Sequence, residues 1–350
     1  MPRRLAAFDS VTYGRDTAAP DPTVSCPMPV YAFIFPGQGS QSVGMGRDLA
    51  AAFAPAREVF GEVDDALGQR LSKLMFEGPA DQLTLTENAQ PALMAMSISV
   101  ARVLAHEGGV RVAQRAALVA GHSLGEYSAL TAADALDLPD TARLLRLRGK
   151  AMQAAVAPGE GSMAALLGVE LAAAAEICAA AAVLRQEGKP DLRQVVQIAN
   201  DNGGGQVVIS GHKAAVDRAV EIAKARGVKR AMVLPVSAPF HCALMAPAAD
   251  EMAEALEAAT LRVPVVPLLA NVTATKVSDP AIIKTQLVQQ VTSTVRWRES
   301  MIAADAMGVD AFVELGAGKV LSGLVKRILP DASVLNAGTP GEIEALLKVF

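Results

Sequence analysis

The sequence predicts an α/β protein, a mostly parallel sheet flanked by helices with a smaller unit inserted into it. Three observations carry that expectation. Apolar runs that end at tight turns are repeatedly followed by segments of helical spacing. Residues 160–236 break this rhythm with the order β-α-β-β-α-β. A serine between two glycines, Gly121-His122-Ser123-Leu124-Gly125, stands where a buried strand gives way to a helix.

Taken in order, Val30–Phe35 reads as a buried strand, followed by the glycine-rich turn PGQGSQ and a helix through about Ala66. Pro91–Leu104 reads as a helix, Ala116–Ala120 as a strand and Leu124–Ala133 as the helix after the serine. Thr141–Val156 is expected to be a helix carrying Arg143, Arg146, Arg148 and Lys150. In the insert, Met163–Val169, Val195–Ala199, Gln206–Ser210 and Lys229–Val236 read as strands, with helices over Glu170–Gln186 and Ala214–Arg226. This is the ferredoxin-like arrangement, and the charged stretch 185–194 reads as a surface loop within it. The larger sheet resumes at Val265–Ala270, Asp310–Leu315 and Ser333–Leu335, with helices over Lys319–Ile328 and Glu342–Val349. The expected organisation is therefore a catalytic body over 28–159 and 237–350 with the insert at 160–236. Residues 1–27 have no sustained period, no apolar centre of a secretory signal and several aspartates, so a disordered extension is expected there.

A chain of 350 residues with 51% hydrophobic content can bury a large core. Its net charge of −4 argues against nucleic acid as a partner. The richest apolar stretches are interrupted by Glu176 or by prolines before the roughly 18 residues a membrane span needs, so no membrane partner is expected. Cys26, Cys178 and Cys242 have neither paired nor zinc-like spacing; a reducing cytoplasm is expected, and no metal site. GQGSQS (37–42) has Ser42 where a dinucleotide fingerprint needs glycine or alanine, and GAGKV (316–320) lacks the rest of a phosphate loop.

G-x-S-x-G between strand and helix is a nucleophile elbow, the motif of α/β-hydrolase-like folds: small flanking residues tolerate a cramped bend that raises the hydroxyl at a helix N-terminus. The alternative is a simple strand–helix turn with serine as cap. A serine nucleophile needs a base. Of four histidines, His106 lies at a helix end, His122 is fixed beside the serine, and His212 sits at a turn in the insert. His241, in PVSAPFHCALM, lies where the chain re-enters the body, at the edge between two lobes where clefts form. No histidine follows it, unlike an ordinary α/β hydrolase whose histidine lies near the C-terminus.

Eight blocks in order, FPGQGSQ (35–41), ENAQPALMAMS (87–97), GHSLGEY (121–127), RLRGKAMQ (146–153), ANDNGGGQVVISG (199–211), PVSAPFHCALM (235–245), QLVQQV (286–291) and VELGAGKVLSGL (313–324), resemble the malonyl-CoA:acyl carrier protein transacylases and the acyltransferase domains of fatty-acid and polyketide synthesis. The resemblance implies transfer of a malonyl group from malonyl-CoA to the phosphopantetheine thiol of acyl carrier protein, in fatty-acid biosynthesis, with no cofactor of the enzyme's own. It implies Ser123 as nucleophile, His241 as base oriented by a backbone carbonyl near Gln290, and Gln38 and Leu124 as oxyanion-hole donors. Arg148 is selected among the arginines as the grip on the free malonyl carboxylate. Phe240 resembles malonyl-selecting members, and Gln90, Asn200, Asn202 and Gln290 match positions near the site, although turn capping would also explain such amides. A serine thioesterase, a polyketide-pathway acyltransferase and a non-catalytic carrier-binding protein are the other readings.

Overall fold

The structure is a computed structural model that describes residues 29–184, 191–236 and 238–350; the expected extension over 1–27 lies outside the described residues. The described residues hold twelve strands, numbered along the chain. β1 (Tyr31–Phe35), β2 (Ala116–Gly121), β9 (Leu268–Leu269), β10 (Lys276–Val277), β11 (Ala311–Leu315) and β12 (Ser333–Ala337) form one sheet, with spatial order β10-β9-β2-β1-β11-β12. Every neighbouring pair is parallel except β10–β9. The register sets Phe35 beside Gly121 and Phe33 beside Val313, so β1 and β2 end together at the elbow.

β1 shows why the run YAFIF makes a central strand. Tyr31, Phe33 and Phe35 enter the core on one face, and Ala32 and Ile34 enter that on the other. A strand buried on both faces needs a continuous apolar run rather than alternation. Each large side chain so buried contributes about 1.5–3 kcal/mol. The helices Thr86–Gly108 and Leu138–Ala154 cover one face. They pack closely because Gly149 meets Glu87: a Cβ on Gly149 would lie 2.5 Å from Glu87 Cα.

β3 (Gly161–Leu167), β6 (Val196–Asp201), β7 (Gln206–His212) and β8 (Arg230–Val233) form a second, fully antiparallel sheet of order β6-β7-β3-β8. With the helices Leu171–Ala181 and Lys213–Ala225 packed on it around a separate core, this is the expected ferredoxin-like insert. One of its attachments to the body is a corner of this sheet. Asn200 forms a parallel bridge to Val295, the N–H of Asp201 donates to Val295 O at 3.0 Å, and Arg298 Nε donates to Asp201 Oδ2 at 2.9 Å.

Several elements differ from expectation. The helix expected over 170–186 ends at Ala181, and Val183–Leu184 turns into a two-residue strand, β4, paired with β5 (Leu192–Arg193). Part of the expected surface loop is therefore a ribbon; 185–190 lie outside the described residues. The strand expected over 265–270 shrinks to β9, because Pro264 and Pro267 lack the N–H that pairing uses. The long first helix breaks at Phe53, with Pro55 opening the second half, Ala54–Leu67. Helices over Ala246–Ala258 and Pro280–Thr292 were not expected at all.

Candidate active site

The backbone at the elbow answers why glycine flanks the serine. Ser123 has φ 55°, in the left-handed region that side chains avoid. A Cβ on Gly121 would lie 1.9 Å from the carbonyl of Gly125, and one on Gly125 would lie 2.3 Å from Phe35 O. Only bare backbone lets strand, bend and helix Gly125–Ala132 approach this closely. Asn271, just after β9, staples the bend: its Oδ1 accepts from the Ser123 N–H at 2.8 Å and its Nδ2 donates to Gly121 O at 2.7 Å.

His241 reaches the same hydroxyl from the chain that returns from the insert. Its Nε2 lies 2.8 Å from Ser123 Oγ, and its Nδ1 lies 2.8 Å from the backbone carbonyl of Gln290. A carbonyl can only accept, so Nδ1 carries the proton and Nε2 offers its lone pair to the serine hydroxyl. His241 is 4% exposed. Burial, with the Arg148 charge adding to it, pushes its pKa down to about 3, so the ring is a neutral base. His241 too has a left-handed backbone, φ 59°, so both reacting side chains stand on bends.

Arg148 is the third member. Though 1% exposed, its guanidinium faces no carboxylate at hydrogen-bonding distance among the described residues. Nη1 donates to Gln90 Oε1 at 2.7 Å, and Nη2 donates to Gln290 Oε1 at 2.9 Å and to Ser123 Oγ at 3.2 Å. Nε has no partner among the described residues. Burial draws the group's pKa below its usual value; a guanidinium keeps its charge in proteins all the same. A buried cation held by neutral amides is a standing site for an anion. The amides are themselves held in line: Gln90 Nε2 donates to Thr86 Oγ1 at 3.1 Å, which donates to Gln38 Oε1 at 2.8 Å.

A cavity of about 220 Å³ opens over these groups. Ser123, His241, Arg148, Gln90, Gln38 and Leu124 line it on the body side. Phe240, Asn200 and Asn202 complete it toward the insert, together with Met163 and Val208 from the insert's sheet. Asn202 Oδ1 is 2.9 Å from His122 Nε2, which joins the lobes across the cleft beside the nucleophile. Gln290 is absent from the wall but holds both base and cation from behind. Gly37 has no side chain because a Cβ would lie 2.6 Å from His122 O, and this brings the first glycine turn against the elbow. All ten residues singled out from the sequence are thus brought to one place.

Residues 32–337 match the family model described as an acyl transferase domain. The chain is 45% identical to the malonyl CoA-acyl carrier protein transacylase of Escherichia coli K12 over 92% of its length and 100% of the relative's. To the protein of that name from Bacillus subtilis it is 44% identical, covering 91% and 96%. The chain belongs to the malonyl-CoA:acyl carrier protein transacylase family. Among solved transacylases, the acyl-carrier-protein-S-malonyltransferase from Bartonella henselae has a TM-score of 0.86 at 57% identity, covering 91% of this chain and 99% of that one. A type II PKS acyl-carrier protein in complex with its malonyl-transacylase gives 0.85 at 41%, with the same coverage.

Two residues of this transacylase site were not singled out from the sequence. Asn271 binds the elbow from 148 residues away, and Glu126, inside the quoted block GHSLGEY, proves to be a buried carboxyl beneath it. For Asn271 no local signal existed. For Glu126 the signal was a lone charge in the first turn of the helix GEYSALTA, which is buried at every residue but Ala132. Among the described residues no helix is long and apolar enough to cross a membrane, and no three His, Cys, Asp or Glu side chains are grouped to hold a metal.

Proposed function

We propose that the chain moves a malonyl group from malonyl-CoA to the phosphopantetheine thiol of acyl carrier protein by a ping-pong route through a malonyl ester on Ser123. Oγ attacks the thioester carbon as its proton passes to His241 Nε2. The oxyanion forms against the backbone N–H groups of Gln38 and Leu124, each worth about 3 kcal/mol of barrier in such holes. The C–S bond breaks, and His241 returns the proton to the departing thiolate. The carrier's thiol then repeats the sequence in reverse, so no net proton is gained or lost. Arg148 holds the free carboxylate throughout, through Nε and whatever Nη2 gives up at Ser123. The thiol arm comes with the carrier, so the chain itself has need of no cofactor. The free thiols of Cys178 and Cys242 fit a reducing cytoplasm.

The observation that carries this reading is the meeting of base and cation at one hydroxyl: Nε2 of His241 at 2.8 Å and Nη2 of Arg148 at 3.2 Å from Ser123 Oγ. A thioesterase for uncharged acyl groups has no use for the second. Intact-mass measurement after mixing with malonyl-CoA tests it. One added malonyl group, absent in Ser123→Ala and passed on to holo acyl carrier protein, is expected; free malonate would indicate a hydrolase, and no adduct a non-catalytic protein.

The base also fixes a pH profile. His241 accepts a proton only while neutral, and its lowered pKa keeps it neutral well into acid. Single-turnover loading of Ser123 is therefore expected to stay flat from about pH 7.5 to about 5.5, where an unperturbed histidine would lose about tenfold. A limb centred near 6.5 would contradict the burial argument.

A further inference from the structure

Beneath the reacting hydroxyl lies a carboxyl that the acyl-transfer steps leave unused. Glu126 is 1% exposed and forms no ion pair among the described residues. Its Oε1 accepts from the backbone N–H of Asn271 and its Oε2 from the side-chain amide of Gln290. Burial raises its pKa to about 8, against those two hydrogen bonds and the nearby Arg148 charge. Both oxygens face N–H donors, and a proton on either would set O–H against N–H, so this geometry holds the ionised form that burial opposes.

Gln290 is the pivot. A side-chain amide is nearly the same shape turned end for end, so only its partners decide which end faces where. Here Oε1 faces Arg148 Nη2 at 2.9 Å, while Nε2 faces Glu126, Ser123 O at 3.0 Å and Asn271 Oδ1 at 3.3 Å. The carboxylate offers the strongest of those three acceptors. It also holds the backbone of Asn271, whose side chain orients the other two through Ser123 N and Gly121 O. Turning the Gln290 amide over would set its NH2 against the guanidinium, two donors facing each other.

We propose that Glu126 is a positioning residue for selection of the substrate's acid group, fixing the Gln290 amide so that its oxygen holds the Arg148 guanidinium beside Ser123. The proposal rests on the reading of Arg148 as the carboxylate grip. Glu126 touches neither substrate nor reacting atoms; it acts through Gln290.

Glu126→Gln separates this role from simple support of the fold. The new amide has one oxygen for two donors, so its NH2 must confront either Asn271 N–H or Gln290 Nε2, and turning Gln290 to relieve the conflict passes it to Arg148. Loading of Ser123 from malonyl-CoA and from acetyl-CoA would be measured on the full chain as kcat/KM, with fluorophosphonate labelling of Ser123 as the reference for nucleophile reactivity. The malonyl-to-acetyl ratio is expected to fall by about tenfold or more, beyond any change in labelling. Equal losses on both substrates, or an unchanged ratio, would overturn the proposal. Should this variant fail to fold, Glu126→Asp decides: one methylene shorter, its carboxylate reaches one donor at a time, so a ratio below about a third of wild type supports the role and an unchanged ratio refutes it. Failure of the wild-type chain to take up malonyl at all would sink the transacylase reading instead, and is read separately from the ratio.

Discussion

Replacing His241 with alanine is expected to slow malonyl loading of Ser123 by about 10²- to 10⁴-fold, the usual span for a positioned general base. The proposed route gives this residue two tasks that water cannot share. It takes the hydroxyl proton at 2.8 Å, and it is held in a single tautomer by the Gln290 carbonyl, also at 2.8 Å. Among the described residues no carboxylate hydrogen-bonds to it, so the imidazolium formed in transit is stabilised by backbone dipoles at Gln290 and Ser293. Rapid-quench single-turnover loading would measure the loss. A fall of less than about tenfold, with the fold intact by calorimetry, would mean that another group removes the proton. The nearest other histidine, His122, has its Nε2 committed to Asn202 and is kept neutral by burial.

The second large effect is on discrimination. Arg148→Ala is expected to lower malonyl transfer relative to acetyl transfer by about 10- to 150-fold, since hydrogen bonds to charged groups contribute about 1.5–3 kcal/mol. The ratio is the proper readout, because Arg148 also donates to Ser123 Oγ and its removal alters the nucleophile for every substrate. Lysine at this position should recover little: an ammonium cannot reproduce contacts that divide between Gln90 and Gln290 from two nitrogens of one plane. Equal loss on acetyl-CoA and malonyl-CoA would remove Arg148 from the acid-binding role.

How much of this could be read from the chain differs from residue to residue, for physical reasons. The elbow was legible because its demands are local: a bend at Ser123 needs bare backbone at Gly121 and Gly125, and each glycine lies two residues from the serine. Arg148 was legible only through the family resemblance; its helix offers Arg143 and Arg146 as well, and Arg148 is buried beside Gly149, whose close approach to Glu87 no periodicity reveals. Asn271 and Glu126 were not singled out because their partners are about 150 residues distant, and an asparagine after an apolar run looks like any turn residue. The helices Ala246–Ala258 and Pro280–Thr292 were hidden by Pro247 and Pro280, which resemble breakers but occupy first-turn positions where a missing N–H costs nothing. The helix at 171–181 was drawn too long for the opposite reason: its alanines run on without a stop signal, and pairing of Val183–Leu184 with Leu192–Arg193 ends it from outside.

The corner where Asn200 and Asp201 join Val295 and Arg298 has a mechanical consequence. The same loop ends in Asn202, which grips the imidazole of His122 next to the nucleophile. If the two jaws spread, the pull arrives at the peptide that carries Ser123, so the aperture through which a carrier's arm must thread and the aim of the attacking oxygen are not independent. A gape wide enough to admit bulk solvent would also slacken the hold on that oxygen.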